Sequence, residues 1–289
     1  MITSVVEFLV EPLAYPFMVR ALITALIAGV VCALLSCWLV LVGWSLMGDA
    51  VSHAVLPGVV LAYIAGVPFA IGALVFGFGA VALIAGLRET SRIKEDAAIG
   101  IVFTTLFAFG LVLISLTPSE VDLHHIVFGN LLGVSWTELA QIALLGALVF
   151  VVLVYKRRDL TLYAFDPTHA FAIGLNPRML GALLLGMMAV TTVVALQAVG
   201  VILVVAMLII PGATAYLLTD RMRSMLLIAP VIAVACALGG VYASFYADVA
   251  TGGAIVLAQG VVFVGAYLFS PRQGLITTRL RSRAAVNLG

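Results

Sequence analysis

Long apolar runs alternate with short polar segments along almost the whole chain. A helix needs about 20 apolar residues to cross the hydrocarbon core of a bilayer, so runs of this length predict membrane spans. The runs lie at 19–42, 49–64, 69–87, 97–116, 135–155, 180–218, 226–245 and 255–269. The run at 180–218 is long enough for two spans, and we divide it near Gln197–Gly200. The pattern therefore predicts an all-α polytopic membrane protein with about nine transmembrane helices in one bundle, or eight if 49–64 does not cross completely.

Composition supports this prediction and limits the functions open to the chain. The 289 residues are 64% hydrophobic and only 9% charged, whereas a soluble domain has about 25% charged residues. A sequence this uniformly apolar has no room for a separate soluble domain. It also lacks a basic patch interleaved with aromatic residues, which excludes nucleic acid as an expected partner.

The distribution of basic residues predicts the orientation of the chain. Every lysine and arginine except Arg20 falls in one of four polar segments, at 88–94, 156–178, 221–223 and 272–283. With nine spans all four segments lie on one side, which the positive-inside rule assigns to the cytoplasm. The predicted organisation is an extracytoplasmic or interfacial lead-in, a transmembrane domain with a cytoplasmic segment at 156–178, and a basic cytoplasmic tail. Their bounds are 1–18, 19–270 and 271–289.

One stretch inside the apolar sequence, residues 48–58, contains both an acid and an imidazole. Asp49 and His53 are four residues apart, so on a helix they share a face. An ionised carboxylate at the centre of a bilayer costs roughly 2.5–3.5 kcal/mol, so such a group usually has a function. Carboxylate oxygen and imidazole nitrogen both bind divalent cations. The pair is therefore our candidate metal site.

The backbone next to this pair is predicted to be irregular. Pro57 removes an amide donor, and together with Gly58 it should kink or break the helix there. Irregular backbone within a membrane is tolerated only against protein or a water-filled cavity. The pair is therefore expected to face the interior of a bundle.

A purely structural interpretation of the pair stays open at this stage. In it, Asp49 caps a helix that begins after Gly48, and His53 bonds a neighbouring carbonyl. If the pair does bind metal, one chain supplies only two side chains. A site with four protein ligands would then require two copies of the chain or a paralogue.

Two further histidines, His124 and His125, lie in a polar loop. Polar loops are usually solvated, and adjacent residues cannot easily bind one ion without help from Glu120 or Asp122. The functional alternative is an entrance contact for a metal or a docking surface for a binding protein.

The cytoplasmic segment contains a predicted short helix. Asp166 is a possible N-cap, Pro167 a favourable first residue, and Gly174 a suitable end after about two turns. Phe171 contributes to an apolar docking face on this helix. The alternative is an amphipathic helix that lies on the bilayer surface.

Several absences argue against enzymatic activity. The only lysines are Lys94 and Lys156, and neither follows a glycine, so the chain has no P-loop for ATP. It has no Ser-His-Asp or His-Glu-x-x-His arrangement either. We therefore expect a transport protein that is not an enzyme and that holds no permanent cofactor.

Taken in order, five stretches of the chain resemble segments of one known family, the membrane permeases of bacterial ABC importers for manganese, iron or zinc. Residues 48–58 are similar to the family's Gly-Asp-x-x-Ser-His-Ala-x-x-Pro-Gly signature. The other stretches are 94–101, 165–175, 199–213, and the end of the chain at 248–252 and 270–274.

The resemblance implies a set of partners and a location. Two permease subunits, as a homodimer or with a paralogue, would form the pathway in the bacterial inner membrane. Two ATPase subunits would hydrolyse ATP and dock on the coupling segment that includes Asp166, Pro167, Phe171 and Gly174. An extracytoplasmic binding protein would deliver the metal, and Asp49 and His53 would be its ligands in the pathway.

The metal and the energy source are not fixed by the residues themselves. Resemblance favours manganese or iron, while oxygen and nitrogen ligands also suit zinc. The alternative function is a proton-coupled secondary transporter in which Asp49 and His53 relay protons.

The sequence departs from the family before Gly48, where basic residues are frequent and this chain has Val42–Ser45. We therefore expect a less strongly anchored first cytoplasmic turn.

Overall fold

The computed structural model describes residues 10–116, 131–270 and 274, and these residues form helices joined by short turns. Residues 1–9 of the predicted lead-in, all of the predicted tail except Gly274, and the loop with His124 and His125 lie outside them. Short 3-10 helices occur at Glu11–Ala14 and Leu131–Gly133. The α-helices are α1 (Pro16–Val42), α2 (Ser45–Ala54), α3 (Leu56–Ala65), α4 (Phe69–Thr90), α5 (Glu95–Leu116), α6 (Trp136–Tyr155), α7 (Arg157–Phe165), α8 (Pro167–Ala172), α9 (Pro177–Val199), α10 (Val201–Leu218), α11 (Met222–Ala247) and α12 (Thr251–Phe269).

Eight helical segments of the described residues are long and apolar enough to cross a membrane, with α2 and α3 counted together as Ser45–Ala65. The shorter apolar helix α10 lies beside them. The long apolar run divides at Gly200, whose φ of +80° is readily adopted only by glycine. The predicted all-α membrane bundle with eight to nine transmembrane helices is thus confirmed.

Helix α1 is the centre of the bundle. It packs most extensively against α10 and α11, and it also contacts α6 and α9. Its Ser36 hydroxyl donates to the Ile209 carbonyl at 3.1 Å and accepts from the Gly212 amide at 3.0 Å. These two backbone groups flank Pro211, which interrupts the hydrogen bonds of α10. Ser36 therefore stabilises a helix interruption that lipid could not solvate.

Helices α3 and α4 touch through their backbones. A Cβ atom added to Gly58 would overlap the carbonyl of Gly72, and one added to Gly72 would overlap the carbonyl of Gly58. Because neither glycine has a side chain, the two helix backbones can pack directly against each other at this point.

Contacts between distant segments define one end of the bundle. The indole of Trp38 donates to the Thr161 hydroxyl at 3.3 Å, and Arg88 pairs with Glu95 at 2.9 Å. The Ser270 hydroxyl donates to the carbonyl of Leu217 at 2.6 Å. These contacts, with the helix order, place the described parts of the four basic segments at this end. Arg20, the remaining basic residue, lies at the other end with its guanidinium 5.6 Å from the ring of Trp136.

The turn before α2 is held by an aromatic contact. Gly43 ends α1 with φ +82°, and Trp44 follows as the N-cap of α2. Trp44 is only 9% exposed, and its ring lies 6.4 Å from that of Tyr163 in α7. Burial raises the pKa of the Tyr163 phenol, so its ring stays neutral in this contact. This turn, which the sequence led us to expect to be less strongly anchored, thus packs against α7 through an aromatic contact.

The backbone contact between α3 and α4 can be tested by two matched substitutions. Gly72→Ala should destabilise the protein by about 1–3 kcal/mol, since the new methyl must separate two backbones. Gly79→Ala in the same helix meets open space and should be neutral or stabilise by up to about 1 kcal/mol. Thermal unfolding of the purified protein in detergent measures both. Equal melting temperatures for the two variants would contradict the close packing.

Candidate metal centre

The candidate ligands lie on α2, a short helix between two interruptions. Gly43 separates it from α1, and Val55 separates it from α3, which has Pro57 in its first turn. Helix α5 approaches this second interruption at Gly110, where an added Cβ would lie 3.1 Å from the Pro57 nitrogen. The irregular backbone is thus packed against protein, as its position in a membrane requires.

Asp49 and His53 lie side by side on α2. The His53 Nε2 atom is 3.3 Å from Asp49 Oδ1, and the two side chains are 20% and 38% exposed, respectively. Asp49 caps no helix, because α2 already begins at Ser45 with Trp44 as N-cap. His53 Nδ1 is buried and bonds no carbonyl among the described residues. Neither hydrogen bond that the structural interpretation requires, from a helix N-terminus to Asp49 or from His53 Nδ1 to a carbonyl, is present among the described residues.

The spacing of the two atoms suits a shared cation. If a metal ion bound both atoms at about 2.1 Å, a separation of 3.3 Å would correspond to a ligand–metal–ligand angle of about 104°. That angle lies between the ideal values for octahedral and tetrahedral coordination. The pair can therefore act as two adjacent ligands with little movement of either side chain.

The pair lies on the exposed side of α2, so the expectation that it faces the interior of a bundle was wrong for the single chain. On α2 the side chains that are not buried are Ser45, Leu46, Asp49 and His53, which fall on one helical face. The opposite face, with Met47 and Val51, is buried. Two ligands at the surface of one chain leave the remaining coordination positions open to other molecules.

Among the described residues, no group of three or more histidine, cysteine, aspartate or glutamate side chains could hold a metal ion. Asp49 and His53 thus form a pair without a third ligand of these types from the described part of the chain. The predicted contact of His124 and His125 with metal or a binding protein lies outside the described residues.

Two phenylalanines that the sequence reasoning missed surround the imidazole. The centroid of the His53 ring is 5.2 Å from that of Phe103 and 5.2 Å from that of Phe107, both on α5. Phe103 and Phe107 are four residues apart, as Asp49 and His53 are. This spacing is the one signal in the sequence that could have indicated that the two phenylalanines share a face of their helix.

The predicted short helix forms at the end of the bundle that carries the basic segments. Asp166 caps α8 by accepting from the His169 amide at 2.8 Å, and Pro167 is its first residue. Gly174 has φ +88° and leads the chain out of the helix. Phe171 is 71% exposed. An open groove of about 660 Å³ follows, lined by Phe171, Gly174, Leu175, Asn176, Pro177 and Arg178.

A helical membrane bundle that carries an acid and an imidazole together on one of its spanning segments is typical of a membrane transport protein. The comparison with known families agrees with this class. Residues 14–270 match the model of the ABC 3 transport family, and the chain belongs to that family. It is a membrane permease of the ABC type.

Curated relatives cover nearly the whole chain. The manganese transport system membrane protein MntB of Synechocystis is 49% identical over 97% of this chain and 92% of its own length. A probable iron transport system membrane protein of Haemophilus influenzae is 53% identical over 91% and 97%. These relatives are bacterial membrane transport proteins, which confirms the predicted location in a bacterial membrane. The alternative of a proton-coupled secondary transporter finds no support among them.

Solved structures have the same fold. The structure described as PsaBC from Streptococcus pneumoniae in complex with Fab is similar to this chain with a TM-score of 0.87 and 37% identity. The match covers 95% of this chain and 99% of that one. An inward-facing putative metal-chelate type ABC transporter shares the fold, with a TM-score of 0.71 and 19% identity over 86% and 84%.

Proposed function

We propose that this chain is the membrane-spanning subunit of an ATP-driven importer that carries a divalent transition metal, manganese or iron, into the cytoplasm. The observation that supports this most directly is the Asp49–His53 pair, whose atoms are 3.3 Å apart on an otherwise apolar helix. Carboxylate and imidazole suit manganese, iron and zinc alike. The choice of manganese or iron follows the names of the relatives.

The proposed site is shared between two permease subunits. Each contributes Asp49 and His53 from the exposed face of α2, and the ion exchanges part of its water shell for these ligands. A transport site must bind well enough to admit the ion and weakly enough to release it. An extracytoplasmic metal-binding protein delivers the ion, and the metal is the substrate, not a permanent cofactor.

Energy comes from a separate subunit in this proposal. Two cytoplasmic ATPase subunits dock on α8 and the adjoining groove, where Phe171 and Gly174 lie at the surface. Helix α8 follows α7 directly, and Tyr163 of α7 packs against Trp44 at the start of the ligand-bearing helix. Movement of the docked segment can therefore reach α2 and open the pathway by rigid-body alternating access.

Asp49→Asn should strongly reduce metal uptake, because the amide keeps the shape of the side chain but loses the charge that attracts the cation. Uptake of radioactive manganese into proteoliposomes with the complete transporter should fall at least about tenfold, since loss of even a residue that only orients a metal ligand costs about 10–100-fold. Asp96→Asn, at an exposed position in the first turn of α5, is the control and should transport normally. Unchanged uptake by Asp49→Asn would exclude Asp49 as a ligand.

Phe171→Ala should weaken the association of the ATPase subunit with the permease, because a buried aromatic anchor at an interface contributes about 2 kcal/mol or more. The dissociation constant measured by biolayer interferometry in detergent should rise by at least about tenfold. Thr168→Ala, exposed on the same short helix but outside the groove, should leave it unchanged. An equal effect of both substitutions would argue against a specific contact at Phe171.

A further inference from the structure

The second ring nitrogen of His53 has no hydrogen bond to a side chain or backbone group of the described residues. A ligating histidine almost always donates its second ring N–H to a carboxylate, carbonyl or water, which fixes the direction of the other nitrogen. In this chain Nε2 faces Asp49, and Nδ1 is buried with no hydrogen-bond partner among the described residues. Some other interaction must therefore hold the ring.

Two aromatic rings contact the imidazole instead. Phe103 lies at 5.2 Å with an interplanar angle of 55°, and Phe107 lies at 5.2 Å in an edge-on arrangement at 85°. The two phenylalanines are also in contact with each other at 6.2 Å. Tilted and edge-on geometries are the favourable arrangements for aromatic pairs. The rings restrict rotation of the imidazole from two sides.

The position of the two rings is set by the packing of α5. Gly110 lies three residues after Phe107 and thus on a neighbouring part of the same face. At Gly110 an added Cβ would lie 3.0 Å from the side chain of Leu56 and 3.1 Å from the nitrogen of Pro57. Because α5 approaches the start of α3 this closely, the phenylalanines are brought against α2 and not toward lipid.

We propose that Phe103 and Phe107 are positioning residues for metal binding: they form an aromatic clamp that directs His53 Nε2 toward the ion, at a ring whose Nδ1 has no protein hydrogen-bond partner among the described residues. The inference rests on the proposed function of Asp49 and His53 as ligands of a divalent cation. It assigns a role in that function to two apolar side chains that do not touch the ion themselves. Loss of the clamp lets the imidazole rotate away from Asp49 and lowers the affinity for metal.

The test is equilibrium binding of Mn²⁺ to the purified complete transporter, measured from the electron paramagnetic resonance signal of the free ion. Phe107→Leu and Phe103→Leu should each weaken binding about tenfold, the lower end of the effect seen when the partner that orients a ligand is removed. Phe107→Tyr retains the ring and should restore most of the affinity. Phe109→Leu, at a 44% exposed position on the same helix, is the matched control and should bind as the unmodified protein does.

A double-mutant cycle separates positioning from a general loss of structure. If Phe107 acts through His53, Phe107→Leu should have no further effect on Mn²⁺ binding in a His53→Ala background. The nitrogen modulation of bound Mn²⁺ in pulsed resonance experiments should also weaken in Phe107→Leu and return in Phe107→Tyr. An equal loss of affinity in both backgrounds, or full affinity in both leucine variants, would overturn the clamp.

The same measurements distinguish failure of the clamp from failure of the proposed function. If Asp49→Asn and His53→Ala both bind Mn²⁺ as tightly as the unmodified protein, the ligand assignment is wrong and the clamp is overturned with it. If these two variants lose binding while both leucine variants keep it, the ligands stand and only the clamp is wrong.

Discussion

A carboxylate beside an imidazole on an apolar helix is the constraint on which the rest of this structure depends. Asp49 needs a compensating charge or water, and His53 at 3.3 Å supplies only part of it. The helix presents both groups to the outside of the subunit, where the described residues add no third ligand of the usual types. A bundle that leaves this pair in contact with lipid alone would be costly, so the face that carries it has to be covered or hydrated.

The interruptions of the helices follow from the same lack of water. Gly43 and Gly200 supply left-handed or extended turns with positive φ, and Ser36 bonds the backbone groups around Pro211. Each interruption is thus satisfied by the protein itself, as a membrane requires. At Val55–Pro57 the backbone stays close to helical, with the Val55 amide bonded to the Val51 carbonyl and the Val59 amide to the Val55 carbonyl, and α5 packs against this junction at Gly110.

The sequence predicted what depends on local patterns. Run length predicted the spans, and a four-residue spacing placed Asp49 and His53 on one face. It could not exclude a capping role for Asp49, because that depends on where the helix begins, and Trp44 rather than Asp49 is the N-cap. Contacts between distant segments were also out of reach. Phe103 in an apolar run indicates lipid contact as readily as contact with a histidine, and nothing local to Trp44 points to Tyr163.

The glycine contact between α3 and α4 has a consequence for how this chain can diverge. Gly58 and Gly72 each occupy the space that a side chain on the other would need. A change at one position cannot be compensated by a change at the other, since both are already the smallest residue. A side chain at either position would therefore push the two helices apart, so the crossing of this hairpin beside α2 depends on both glycines at once.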